Sequence, residues 1–157
     1  MRVLLQRVLE ASVDVEGKTV SSIGPGILVL AAFRSGDSDA DLDWMAKKCL
    51  ELRIFEDERD KMNRSVLDEE GELLVVSQFT LYGDCRKGRR PDFMASAPAD
   101  EARRLYRRFL DILNGYYSRV AEGVFGAKMK VRLVNNGPVT LIIDRDDEGH
   151  RERGAGA

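Results

Sequence analysis

Ser77, Gln78 and Thr80 follow directly on an apolar run, Leu73-Leu74-Val75-Val76, with Phe79 set among them. The run has the length and composition of a strand buried in a sheet. Gly83-Asp84 then signals a turn. A buried strand that ends in hydroxyl and carboxamide groups holds those groups at the rim of a pocket. There they can orient and polarise a substrate. The plain alternative is a strand end whose hydroxyls bond to nearby backbone. As a nucleophile Thr80 would need a base, and its own motif holds none.

The rest of the chain removes the usual bases. His150 is the only histidine and sits in a polar C-terminal tail, so a Ser-His-Asp or Cys-His arrangement is not expected. The HExxH pattern is absent. Cys49 and Cys85 are far apart and outside any CxxC pair, which argues against structural zinc. Cys49 falls at an apolar helical position. Cys85 follows a turn, and no histidine precedes the tail to activate it. Asp39, Asp41 and Asp43 crowd the start of a helix, where the dipole favours anions, and need no metal to explain them. Neither metal nor cofactor is expected.

Arg86, Lys87, Arg89 and Arg90 surround Gly88 just after the polar stretch, in a loop suited to phosphate. Arg103, Arg104, Arg107 and Arg108 form a stripe on a later helix. Net charge is −2, from 25 basic and 27 acidic residues, so any nucleic acid is met by a local patch and not by a basic coat.

The positioning elements follow from periodicity. Strands are expected at 3–9, at 11–15 and 18–23 around a Glu16-Gly17 turn, at 27–33, at 53–55 and at 73–79. Further strands are expected at 129–134 and 139–143, with Asn135-Asn136-Gly137-Pro138 as the loop between them. One helix begins near Ser38 or Asp39, with Leu42, Met45, Ala46, Cys49 and Leu50 on its apolar face. A second begins near Pro98 or Ala99 and carries Ala102, Leu105, Tyr106, Phe109, Ile112, Leu113 and Tyr116 inward. These elements describe an α/β protein: a single compact domain of layered β-sheets, with two main helices on one side. Its 157 residues suffice for one core. The domain is expected over 1–144, and 145–157 as a polar, disordered tail. Neither a signal peptide nor an apolar stretch of roughly 20 residues is present, which points to the cytoplasm and no membrane.

Taken together, Ser77-Gln78-Phe79-Thr80-Leu81 and Asn135-Asn136-Gly137-Pro138-Val139-Thr140 resemble the D-aminoacyl-tRNA deacylase family. Gln6-Arg7-Val8, Ala11-Ser12-Val13, Gly17, Ile23-Gly24, Arg53-Ile54-Phe55, Lys61-Met62-Asn63 and Arg90-Pro91 fall in the family's order, and the resemblance runs to about Asp144. It implies a β/β/α deacylase-like fold. It implies a hydrolase that cleaves the ester between a D-amino acid and the terminal adenosine of tRNA, and that also removes glycine mischarged on tRNA-Ala. It implies a homodimer in which Gly137-Pro138, joined by a cis bond, enters the partner subunit's pocket.

On this resemblance Ser77, Gln78, Phe79 and Thr80 form the catalytic stretch. Gly137, Pro138, Phe125, Gly126, Ala127, Met129 and Arg7 bind substrate, with Phe125 against the terminal adenine. Backbone carbonyls near Gly137 would read the shared α-amino group. An L-substrate would be rejected by clash of its side chain with the wall. Amides near Phe79 and Thr80 would form an oxyanion hole. The ribose 2′-hydroxyl would assist attack by water, the protein positioning and not reacting. Asp92 departs from the family's usual serine and puts a carboxylate in the basic loop, and Asn136 stands where relatives are often acidic. Three rival readings are an RNA-binding domain without catalysis, a dimeric scaffold, and a related deacylase with a trans Gly-Pro bond that removes L-alanine.

Overall fold

A computed structural model describes residues 1–145. Its order is β1 (Arg2–Val15), β2 (Lys18–Ile23), β3 (Gly26–Ala32), α1 (Asp39–Glu51), β4 (Phe55–Glu56), β5 (Met62–Arg64), β6 (Glu72–Ser77), a 3₁₀ turn (Phe79–Tyr82), α2 (Ala99–Tyr116), β7 (Val120–Glu122) and β8 (Met129–Asp144). The expected tail is fixed at its first residue. Arg145 donates its amide to the Met1 carbonyl at 2.9 Å and its Nε to Asp41 Oδ1 at 3.1 Å. Residues 146–157, with His150, lie outside the described residues.

β1 organises the sheet, and it does not stop at Leu9. One edge pairs antiparallel with β3 from Arg2↔Ala32 to Val8↔Gly26, then with β2 from Ala11↔Ile23 to Val15↔Lys18. Leu9 and Glu10 sit at the changeover and are exposed, which is why their pattern reads as a break. Glu16 and Gly17 both take positive φ, 51° and 79°, as a tight hairpin turn requires.

The other edge of β1 pairs with β8 from Arg2↔Asp144 to Val15↔Met129. This corrects the expectation of two strands joined by a loop at 135–138. β8 is one strand, and its register shifts opposite Gln6, Val8 and Glu10. Asn135 holds the irregularity in place, its Nδ2 donating to the carbonyls of Arg7 and Val139, each at 3.1 Å.

β6 lies parallel to β3, from Gly26↔Glu72 to Ala31↔Ser77, and β7, which periodicity did not reveal, lies parallel to β6 on its far side. β4 and β5 form a separate small hairpin, and Arg53 and Ile54 fall outside it. Both helices cover one face of the sheet. There Leu42, Met45, Cys49, Leu105, Phe109 and Leu113 bury the β-face residues Val3, Leu5, Ile27, Val29, Leu73 and Val75. The alternate positions Val8, Val13, Leu28, Leu74 and Val76 turn the other way and pack with Met129, Val131 and Leu133 of β8. The layered α/β architecture with helices on one side is therefore as expected. α1 starts at a capping box: Ser38 accepts from the Asp41 amide, and Asp41 accepts from the Ser38 amide.

Candidate active site

β3 and β6 end side by side, and a cavity of about 760 Å³ opens at their ends. Ala31, Ala32, Val76 and Ser77 form its floor. The Gln78 amide continues the parallel pairing one residue further, donating to the Ala31 carbonyl at 2.8 Å. The chain then leaves the sheet. Phe79, expected in the strand, instead starts the 3₁₀ turn and is exposed. The turn's hydrogen bonds begin with the Leu81 amide to the Gln78 carbonyl at 3.2 Å. The amides of Phe79 and Thr80 thus precede the ladder, as the first N–H groups of any helical turn do.

A second wall comes from the segment before α2. Phe93 meets Phe79 edge to face at 5.2 Å, and the Ala97 amide anchors the segment to the Phe33 carbonyl at 2.9 Å. Pro98, Ala99 and Ala102 bring the first turns of α2 to the cavity, their small side chains leaving it room. Opposite them stand Phe125, Gly126, Ala127 and Met129, on the turn into β8. Gly126 has φ +78°, which an L residue rarely adopts. Behind the cavity the Tyr106 hydroxyl donates to the Val75 carbonyl at 2.9 Å, and its ring packs 5.7 Å from that of Phe125. Burial holds the Tyr106 hydroxyl well above the ordinary phenol range, so it stays protonated.

The cavity brings together Ser77, Gln78, Phe79, Phe125, Gly126, Ala127 and Met129 from the sequence reading. Thr80, Arg7, Gly137 and Pro138 are not among its lining residues. The Thr80 side chain is exposed, and its hydroxyl accepts from the Gln78 carboxamide, which is not a base. Arg7 is 4% exposed and committed: Nε donates to the Asn136 carbonyl at 2.9 Å, and Nη1 to the Ile54 carbonyl at 2.7 Å. Its guanidinium therefore fixes the backbone just before Gly137. That glycine has φ +115°, and a Cβ on it would lie 2.0 Å from Arg7 Nη2. The Gly137-Pro138 bond is trans, where the resemblance implied cis. The dipeptide lies within β8, at the positive φ of Gly137.

Among the described residues, no ionisable side chain lines the cavity. Among the described residues no group of three or more His, Cys, Asp and Glu could hold a metal ion, and no helix is long and apolar enough to cross a membrane. Cys49 is buried, which pushes its thiol up to about 12, and Cys85 is exposed. In the basic loop Arg86 is paired with Asp84 at 2.6 Å, while Lys87, Arg89 and Arg90 are exposed. Asp92 does not stand free: its backbone pairs with Asp84, and its carboxylate accepts from the Met94 amide at 2.7 Å. On α2, Arg107 pairs with Glu122 and Arg108 with Asp39. The sequence reading missed the wall at Phe93 and Pro98–Ala102. An aromatic residue inside an otherwise polar, basic loop was its one legible trace.

The model of one family, described as D-Tyr-tRNA(Tyr) deacylase, matches residues 4–144. The chain belongs to that family and is a hydrolase of its class. Among curated relatives, D-aminoacyl-tRNA deacylases of Thermomicrobium roseum and Thermosipho africanus are 59% and 55% identical, each over 92% of this chain and 94% and 97% of their own. Two solved structures share the fold. One, of a c-Myc DNA Unwinding Element Binding Protein, has a TM-score of 0.88 at 42% identity and covers 93% of this chain and 99% of its own. The other, of a probable eukaryotic D-amino acid tRNA deacylase, has a TM-score of 0.79 at 25% identity and covers 92% and 98%.

Proposed function

We propose that this chain hydrolyses the ester of D-aminoacyl-tRNA, and of glycine mischarged on tRNA-Ala, as a cytoplasmic homodimer that proofreads handedness. The observation carrying this reading is a cavity of substrate size, walled mostly by backbone and apolar groups, with no ionisable side chain among the described residues that line it. Such a wall suits a site that must accept many side chains and read only the atoms they share. The free amides at Phe79 and Thr80 supply the oxyanion hole, and Ser77 and Gln78 hold that turn on the end of β6. Attack by water is assisted by the ribose 2′-hydroxyl. Phe125, Gly126, Ala127 and Met129 receive the terminal adenosine. Gly137 and Pro138 lie outside the lining of their own chain's cavity, which suits donation to the partner's. There main-chain carbonyls receive the α-amino group, and an L side chain is turned into the wall. Arg7 serves substrate binding by setting the backbone that precedes Gly137.

Deacylation of matched D- and L-aminoacyl-tRNA and of glycyl-tRNA-Ala tests the reading. Release from the D and glycyl forms alone supports it. Release of L-alanine supports the rival deacylase, which the trans Gly137-Pro138 bond favours. Release from none supports nucleic-acid binding without catalysis, the property after which one structural relative is named. Thr80→Ala is expected to keep most of its turnover, and a substrate lacking the 2′-hydroxyl to lose it. The opposite pair of results would establish a covalent threonine route.

A further inference from the structure

Arg103 stands at the mouth of the cavity and has no assigned role. On α2 it follows Ala102 and lies four residues after Ala99, both of which line the cavity. Its guanidinium carbon lies 4.8 Å from the centre of the Phe125 ring. One of its terminal nitrogens reaches to 3.7 Å from where a Cβ on Gly126 would stand. The side chain therefore reaches from α2 to the 125–127 turn, beside residues that line the cavity.

The surrounding charges distinguish it. Arg107 and Arg108 are paired with Glu122 and Asp39. Arg86 is paired with Asp84. Glu101 is turned away, accepting from the Ser35 hydroxyl at 2.8 Å and the Gly36 amide at 3.3 Å. Asp100 is exposed on the first turn of α2. Arg103 makes a ring contact and no hydrogen bond or ion pair among the described residues, so its donors face solvent at the rim. A guanidinium over an aromatic ring still has N–H groups to offer an anion.

We infer that Arg103 binds the phosphate on the 5′ side of the terminal adenosine, holding the RNA backbone where it leaves the cavity. The inference rests on the proposed deacylase reading and on Phe125 meeting the terminal base. A base inside the cavity puts its 5′ phosphate about one sugar away, at the rim, and Arg103 is a cation stacked on Phe125 there with no ion pair among the described residues. Planar, multiple N–H donation suits a phosphate oxygen pair better than a lysine does.

The test uses two minimal esters of the same D-amino acid, one on adenosine and one on adenosine 5′-methyl phosphate. The second carries the single charge of a phosphodiester. The unmodified protein is expected to prefer the phosphorylated ester about tenfold in kcat/KM, the size of one charge-assisted contact. Arg103→Met keeps the ring covered and removes the charge. It is expected to abolish that preference and leave the adenosine ester unaffected. Arg103→Lys is expected to restore part of it. On whole D-aminoacyl-tRNA, Arg103→Met is expected to lower the salt slope of log KM by about 0.7, the loss of one single-strand phosphate contact.

Equal loss of both esters in Arg103→Met would show that the residue only packs on Phe125, and the inference fails. Retained preference in Arg103→Met would place the phosphate elsewhere, and it fails again. If the unmodified protein cleaves neither ester nor D-aminoacyl-tRNA, the deacylase reading itself is at fault, and the inference falls with it.

Discussion

Gly137→Ala probes the contact that fixes the Gly-Pro segment. Two separate costs follow from the geometry. At φ +115° an alanine sits in a region that costs an L residue about 1–3 kcal/mol. Its Cβ would also stand 2.0 Å from Arg7 Nη2, so the guanidinium must move. A free arginine tip would yield cheaply, but this one is 4% exposed and bonded at 2.9 and 2.7 Å to the carbonyls of Asn136 and Ile54. Weakening two bonds from a charged donor costs about 2–3 kcal/mol, for a total of about 3–6. The pairing of Arg7 with Glu56, at 3.6 Å and half-exposed, adds little.

The two costs separate in a double-mutant cycle with Arg7→Ala. Without the guanidinium, Gly137→Ala should cost only the φ strain, so the coupling should be about 2–3 kcal/mol. Urea unfolding of the four variants at one protein concentration measures it, the fixed concentration guarding against effects of assembly. Equal cost of Gly137→Ala in both backgrounds would refute Arg7 as the residue that fixes this backbone.

Three further outcomes are expected. The native protein should take one equivalent of a thiol reagent at pH 8, at Cys85, and a second only on unfolding, since burial holds Cys49 up at about 12; mass spectrometry of the labelled chain decides this. Asp84 should titrate at about 2, chiefly because of its hydrogen bond from Arg86, and Arg86→Ala should return it toward the ordinary ~3.9, as followed by carboxyl NMR. Because its folded value lies below the unfolded one, the stability this pair contributes is present above about pH 4 and is lost as pH falls through about 2. Ser38→Ala should cost about 1–2 kcal/mol in urea unfolding, by removing the acceptor for the Asp41 amide at the start of α1.

Periodicity revealed both helices and the buried strands because each has one apolar face against one core. The 26–32 and 72–77 strands were legible because both their faces are buried, one under the helices and the other under β8. It failed where a strand changes partner. Leu9 and Glu10 are exposed because β1 passes there from β3 to β2, and Asn135 to Pro138 look like a loop because the register shifts there. The departure of Phe79 from the strand was equally invisible, since one hydrophobic residue fits a strand end or an exposed rim. Of the candidate site residues, Ser77, Gln78 and Phe79 meet Phe125, Gly126, Ala127 and Met129 around one cavity. The α2 wall was hidden because Ala102 serves the core and the cavity at once, and nothing in the spelling of a helix says which neighbour its alanines meet.

The long antiparallel ladder between β1 and β8 joins Arg2 to Asp144 and Val15 to Met129. During synthesis one side of β1 must therefore wait, unpaired, until β8 has emerged. Contacts so distant in sequence slow folding, and an open strand edge invites pairing with other chains in the meantime. The ribosome's pace through the codons between Val15 and Met129 thus sets how long that edge stays open.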